Sequence, residues 1–266
     1  MRRWYWIKEN ESVVTDPARA SRPIRDRQPA VRGLRNVFLD ERDGPLPALL
    51  VALTALAGIV DAVSILRLGR VFVAAMIGNL VFLGLAAAGA KGFAVGTLAL
   101  AVGGFVVGVL IGGHACRAAR SHRGRALRKV LGLKLWLASA ATLIAILAGP
   151  RFSIGARDTM VVLLAMTMGT QLAAIRYLKV PDLVTVALTL TITGALTERG
   201  SGWNDPKLLR FLLALVALAV GALSGGLLVL NLGVAAALSF GLGCLLAIAI
   251  AAHLVSRTSA NWSVPR

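Results

Sequence analysis

Eight apolar stretches, each about as long as a bilayer is thick, constrain this chain more than any other feature. They occupy residues 46–66, 71–90, 93–116, 130–149, 158–178, 181–197, 208–230 and 233–254. A helix of roughly 17–25 apolar residues crosses a hydrocarbon layer about 30 Å thick. Backbone that faces lipid at that depth must be helical, because unpaired amide groups are costly there. The pattern predicts an all-α polytopic membrane protein.

The charge of the chain fits loops beside a membrane better than a nucleic-acid surface. Its 266 residues are 57% apolar and 15% charged, with a net charge of +17, whereas soluble domains are about 25% charged. The basic residues lie between the apolar stretches, as expected for loops retained in the cytoplasm. We expect membrane lipid as a partner and no nucleic acid, while homo-oligomerisation stays open.

The sequence holds no recognisable enzyme, metal or cofactor motif. Cys116 and Cys244 are far apart, the three histidines are scattered, and neither a phosphate-binding loop nor a dinucleotide fingerprint occurs. We therefore expect no enzyme, no cofactor and no metal. Residues 1–44 are polar and are predicted to form a disordered basic cytoplasmic tail. A membrane domain over 45–256 and a short cytoplasmic tail over 257–266 follow.

The second half of the membrane domain resembles the first. The segment VGVLIGG at 107–113 recurs as VGALSGG at 220–226, and Gly169 lies 111 residues after Gly58. Each of these two glycines is followed by a short break and then by an apolar stretch with unusual polar content, 71–90 or 181–197. We predict two repeats, over 46–149 and 157–254.

Charge favours six membrane spans over eight. If stretches 71–90 and 181–197 each enter and leave the membrane on one side, both termini and most basic residues near helix ends lie in the cytoplasm. Those left outside are Arg67, Arg70, Lys91, Arg151 and Arg157. Eight spans would divide the basic residues almost evenly. A seven-span form, in which 71–90 crosses the membrane and 181–197 does not, distributes the basic residues almost as unevenly. It would give equivalent stretches of the two repeats different topologies.

Three spans in each half would make the two repeats inverted copies. The predicted fold is therefore two inverted repeats of three transmembrane helices, each with one extra re-entrant or broken helix. Secondary transporters often have this architecture, and their sites lie on the broken helices at the repeat interface. Channels with inverted repeats also exist, so the architecture does not choose between the two.

Asp61 is the first candidate site residue, because it lies well inside an apolar stretch. An ionised aspartate at the centre of a span costs roughly 2.5–3.5 kcal/mol on insertion scales. It must face a polar cavity, pair with a cation or be protonated. The functional reading is a proton-coupling carboxylate or a counter-ion for a cationic group. The alternative is a structural helix-end cap or a salt bridge to Lys134 or Arg67.

Further polar candidates lie near the predicted breaks. Asn79 follows Gly78, where an amide can satisfy backbone groups that a break frees, or can make an ordinary interhelical hydrogen bond. Gln171 is the amide of stretch 158–178. Hydroxyls crowd the stretch 181–197, where they line a pathway or bond their own helix: Thr185, Thr189, Thr191 and Thr193. Glycines four residues apart predict close helix packing: Gly104, Gly108, Gly112, Gly221 and Gly225.

These residues resemble the bacterial YoaK-like membrane proteins, a family catalogued as a domain of unknown function. The first half carries the family's motif residues Gly58, Asp61, Ala62, Phe72, Met76, Gly78 and Asn79. The second half carries Gly169, Gln171, Ala173 and the stretch PDLVTVALTLTITG. Ile77 and Leu172 depart from the family pattern, which has Thr and Asn there. The resemblance implies an inner-membrane location and no substrate.

The function hypothesis is a secondary transporter of a small solute, with Asp61 as a candidate for proton coupling. A non-transporting membrane scaffold is the main alternative, with the basic tail and residues 117–129 as a docking surface. A channel is a further alternative.

Overall fold

The computed structural model describes residues 44–119, 122–178 and 206–257, without the side chains of 206–211 and 257. All the regular structure in these ranges is helical. The seven helices are α1 Leu46–Arg67, α2 Met76–Ala87, α3 Val95–Arg117, α4 Arg123–Ala148, α5 Ile154–Leu178, α6 Pro206–Leu232 and α7 Val234–Arg257. The stretch 181–197 and nearly all of the two predicted tails lie outside the described residues.

Six of these helices are long and apolar enough to cross a membrane. They are α1, α3, α4 and α5 over their full lengths, Leu212–Leu232 of α6 and Val234–Ser256 of α7. A helix of 22 residues, the length of α1, measures about 33 Å. The expectation of an all-helical, multi-pass membrane protein is therefore confirmed. Stretch 71–90 is different, because it is helical only over the 12 residues of α2, or about 18 Å.

Two layers of apolar side chains fill the bundle. Leu50, Leu127 and Leu178 belong to a layer near the start of α1 and the end of α5. Val63, Leu98 and Met160 belong to a second layer near the end of α1 and the start of α5. The outer faces of the long helices expose many large apolar side chains, which suits a hydrocarbon surrounding.

Glycines bring α3 and α5 together side by side in the same direction. The contacts rise in step along both helices: Gly104 on Val162, Gly108 on Met166 and Gly112 on Thr170. At Gly108 an added methyl group would overlap the backbone of Met166. Small residues at such positions let two helix backbones approach closely.

A second parallel pair, α1 with α6, is built in the same way. Gly221 lies on Ala55 and Gly225 lies on Ile59, while Gly58 of α1 faces the backbone of α6. Helix α4 packs on α5 and α7, and α7 also packs on α1, so the two parallel pairs are joined into one bundle.

The chain between α1 and α3 turns back into the bundle and then leaves it again. Gly69 (φ 106°) and Arg70 (φ 58°) reverse the backbone, and residues 73 and 74 then lie beside Asp61. Helix α2 then returns to the end of the bundle where this part of the chain began, so that the side chain of Arg70 lies near Gly92. The rings of Phe82 and Phe93 lie 4.9 Å apart near this end. We call residues 68–90 the returning segment.

The close approach of α3 to α5 predicts different outcomes for neighbouring glycines. We expect Gly108→Ala to lower the free energy of unfolding by about 1–3 kcal/mol, the usual cost of overpacking. Gly103→Ala is the matched control, because nothing lies within 4 Å of an added methyl group there. Unfolding in mixed micelles, followed by circular dichroism, compares the two variants. Equal stability of both would contradict the glycine contact.

Candidate functional site

Asp61 is bound by the backbone of the returning segment. Its Oδ1 accepts hydrogen bonds from the amides of Val73 at 2.8 Å and Ala74 at 2.9 Å. These amides lie just before α2, whose N-cap Ala75 has no side chain to bond the free amide groups. A carboxylate is favoured beside a helix N-terminus, where unpaired amides and the helix dipole both attract negative charge.

No cation of the described residues neutralises Asp61. Lys134 and Arg67, the two salt-bridge partners considered from the sequence, do not contact it. Lys134 bonds elsewhere, and the exposed Arg67 lines a separate cavity at the end of α1. Asp61 is nonetheless buried, with 9% of its surface exposed. Asp61 therefore has the capping geometry of the structural alternative. It also lines a cavity, as the functional reading requires.

Asn79 holds the returning segment in shape. Its Oδ1 accepts a hydrogen bond from the amide of Phe72 at 2.8 Å, and its Nδ2 donates to the carbonyl of Phe72 at 2.6 Å. The side chain thus pairs with both backbone groups of one residue, as a neighbouring strand would. Gly78 lies under the Phe72 ring, where an added methyl group would lie 2.7 Å from a ring carbon. The break falls before Gly78, because residues 71–75 are not helical.

Gln171 lies in the middle of the bundle and bonds two other helices. Its Oε1 accepts a hydrogen bond from Lys134 Nζ, and its Nε2 donates to the carbonyl of Leu53 at 3.3 Å. Lys134 is only 1% exposed, near the middle of α4. From the sequence, Lys134 is a candidate only as a salt-bridge partner of Asp61. A lone lysine inside the apolar stretch 130–149 was the signal that could have identified it as a site residue.

A cavity of about 300 Å³ lies between the two halves of the bundle. Among the described residues of its wall, Asp61 and Gln171 supply the polar side chains, and the others are apolar. The apolar lining includes Met76, Ile77, Phe105, Met168 and Leu172. Ile77 and Leu172, the two departures from the family pattern, are therefore both part of this wall. Asn79 is not part of this wall, but it holds the returning segment, whose residues 74–77 are.

A further polar cluster ties α3 to α5 at the end of the bundle where α3 begins. Thr97 Oγ1 donates to Asp158 Oδ1 at 3.0 Å and accepts from Arg157 Nη2 at 3.0 Å. Arg157 also forms a salt bridge with Asp158 at 3.0 Å. This cluster is remote from the cavity wall.

Thr185, Thr189, Thr191 and Thr193 lie outside the described residues. Within the described ranges, no group of three His, Cys, Asp or Glu residues is placed to hold a metal ion.

Residues 49–251 match the model of a family described as a protein of unknown function, DUF1275. No curated protein and no solved structure matches the chain.

The double hydrogen bond of Asn79 predicts a strong effect on stability. We expect Asn79→Leu to lower the free energy of unfolding by about 2–4 kcal/mol, because both backbone groups of Phe72 lose their partner. Asn231→Leu is the control, since Asn231 is exposed and bonds only the carbonyl of Leu227. It should change stability by less than about 0.5 kcal/mol. Thermal unfolding in detergent measures both, and a similar loss in the two variants would refute the role of Asn79.

Proposed function

Since the chain belongs to the DUF1275 family and its helices border a cavity with polar groups, we propose that it is a secondary transporter of a small solute. The observation that carries the proposal is the environment of Asp61. This buried carboxylate lines a cavity of about 300 Å³, and no cation of the described residues pairs with it. A solute or a proton that enters the cavity is then the natural partner of its charge.

We further propose that the membrane domain consists of two inverted repeats, and the glycine contacts support this. Gly58 of α1 contacts Leu218 and its neighbours on α6, and Gly169 of α5 contacts Phe105 and its neighbours on α3. Gly169 is 111 residues after Gly58, and Leu218 is 113 residues after Phe105, which are the offsets of the sequence repeat. The first helix of each half, α1 or α5, thus packs on the second long helix of the other half, α6 or α3.

The direction of the helices also supports inversion. Gln171 bonds the carbonyl of Leu53, and Leu164 lies with Val60 around one small void. Residue numbers therefore fall along α5 as they rise along α1, so these two corresponding helices run in opposite directions. A two-fold axis in the membrane plane relates repeats of this kind, and transported solutes bind near that axis.

In this proposal the returning segment is a re-entrant element rather than a span. Its two ends meet at one end of the bundle, where Arg70 approaches Gly92. Alternating access would then move the two halves relative to each other around the cavity. No catalytic reaction is assigned to these residues.

The topology that goes with this function places both termini in the cytoplasm of an inner-membrane protein. The distribution of basic residues supports this orientation. The exposed Lys91 and Arg151 would then face outward, and the exposed Arg125 would face the cytoplasm.

Cysteine labelling tests the topology. In a background with Cys116→Ala and Cys244→Ala, we expect Lys91→Cys and Arg151→Cys to react with a membrane-impermeant maleimide added to intact spheroplasts. Arg125→Cys should react only after the membrane is permeabilised. The opposite pattern would reverse the orientation. Labelling of Lys91→Cys and Arg151→Cys on different sides would contradict spanning by both α3 and α4, on which the inverted repeats depend.

Proteoliposomes test transport and the role of Asp61. Under an imposed pH gradient, we expect uptake of at least one labelled small amine, amino acid or carboxylate above that of empty liposomes. Asp61→Asn should remove the dependence on the gradient, because an amide cannot carry the proton. Its Oδ1 can still accept hydrogen bonds from Val73 and Ala74, so the fold should persist.

Two controls separate this outcome from other causes. Asp158→Asn changes a carboxylate that is remote from the cavity, and it should retain gradient-driven uptake. A chain without residues 1–40 should also retain uptake, whereas a scaffold that docks through its tail would lose its partner. Full gradient dependence in Asp61→Asn would exclude this carboxylate from coupling, and absence of any uptake would favour the scaffold.

A further inference from the structure

Lys134 determines which way the amide of Gln171 points. An ammonium group has three donors and no acceptor, so the Gln171 atom that it contacts must be the carbonyl oxygen. The contact is Nζ to Oε1, in agreement with this requirement. Gln171 therefore turns its NH₂ group away from Lys134. One of its two hydrogens reaches the carbonyl of Leu53, and no acceptor of the described residues binds the other.

The second hydrogen matters because Gln171 is part of the cavity wall. The wall thus combines a hydrogen-bond donor, the amide of Gln171, with an acceptor, the carboxylate of Asp61. Lys134 contacts the carbonyl oxygen of the same amide. When its amine is protonated, its charge strengthens the attraction of the amide donor for a negative group, an effect that is larger in a low-dielectric interior.

These two polar groups are set apart along α1. Asp61 lies eight residues after Leu53, the residue that Gln171 contacts, or roughly 12 Å along the helix. This axial separation is too long for one hydrogen bond to span, so only an elongated molecule can reach both groups. Phe105 and Met168 are among the apolar residues that line the same cavity. The cavity therefore has two polar ends and an apolar middle.

We propose that the cavity binds an elongated zwitterion, with a cationic amine on Asp61, an apolar middle, and a carboxylate on the amide of Gln171, which Lys134 positions. This proposal rests on the transport function and names its substrate class. A molecule of this kind also balances charge: its amine offsets Asp61 and its carboxylate offsets Lys134. Neither buried charge is then left without an opposite charge in the membrane.

Four matched compounds test the substrate class on the purified full-length protein by isothermal titration calorimetry. 5-Aminopentanoate carries the two groups at its opposite ends, and its isomer 2-aminopentanoate carries them on adjacent carbons. Pentylamine and pentanoate each lack one of the groups. We expect 5-aminopentanoate to bind at least about tenfold more tightly than the other three, because only this compound can place a charged group on each polar group of the cavity.

Three variants test the residues. Gln171→Glu keeps an oxygen for Lys134 but removes the amide donor. It should therefore weaken the binding of 5-aminopentanoate at least about tenfold and leave the binding of pentylamine unweakened. Lys134→Met frees the amide to rotate and should also weaken 5-aminopentanoate. Lys134→Arg, which again offers only donors, should restore most of the affinity. The melting temperature of each variant without solute shows whether it is folded.

The outcomes separate this proposal from the transport function. Binding of 2-aminopentanoate or pentylamine as tight as that of 5-aminopentanoate, or no binding of 5-aminopentanoate, would overturn the substrate class. Unchanged affinity in Gln171→Glu would overturn the assigned end of the cavity. Uptake of a different solute into proteoliposomes would leave the transport function intact in either case. Selective binding without uptake would instead contradict transport and support the site.

Discussion

The hydrogen bonds between the Asp61 carboxylate and the amides of Val73 and Ala74 are the interaction on which the rest of the site depends. Backbone that is not helical can exist at membrane depth only where the protein or water satisfies its polar groups. Asp61 satisfies two of these amides, and Asn79 satisfies both groups of Phe72. These side chains therefore allow the chain to turn back beside α1 and to place Met76 and Ile77 in the cavity wall.

The glycines bring together the helices that form the rest of the cavity wall. Water drives apolar side chains together in a soluble core, but helices in lipid associate through close packing and hydrogen bonds. Gly108 and Gly221 let the backbones of α3 and α6 approach α5 and α1, and each parallel pair becomes a tightly packed unit. The cavity lies where the two units and the returning segment meet, with Phe105 of α3 and Leu218 of α6 both in its wall.

Lys134 gives the bundle a second buried ionisable group. It bonds Gln171 rather than Asp61, so the two ionisable groups of the interior remain apart. A salt bridge between Asp61 and Lys134 would neutralise both groups, and a charged solute would then gain little interaction energy by entering the cavity. Their separation is consistent with a cavity that recognises charge at two places, and it gives the amide of Gln171 a defined orientation.

The six long apolar helices of the described residues could be read from the sequence, because hydrophobic length is a local property that the bilayer thickness turns into a span. Length alone did not distinguish stretch 71–90, which is helical only over the 12 residues of α2. The polar residues Asp61 and Asn79 were also conspicuous, since such groups are rare among apolar neighbours. Their partners were decided only by the tertiary structure. Asp61 had two plausible cations and bonds backbone amides instead, while Lys134 bonds a glutamine on another helix. Side-chain pairs between helices depend on how the helices cross and rotate, which the hydrophobic pattern of each separate helix does not specify.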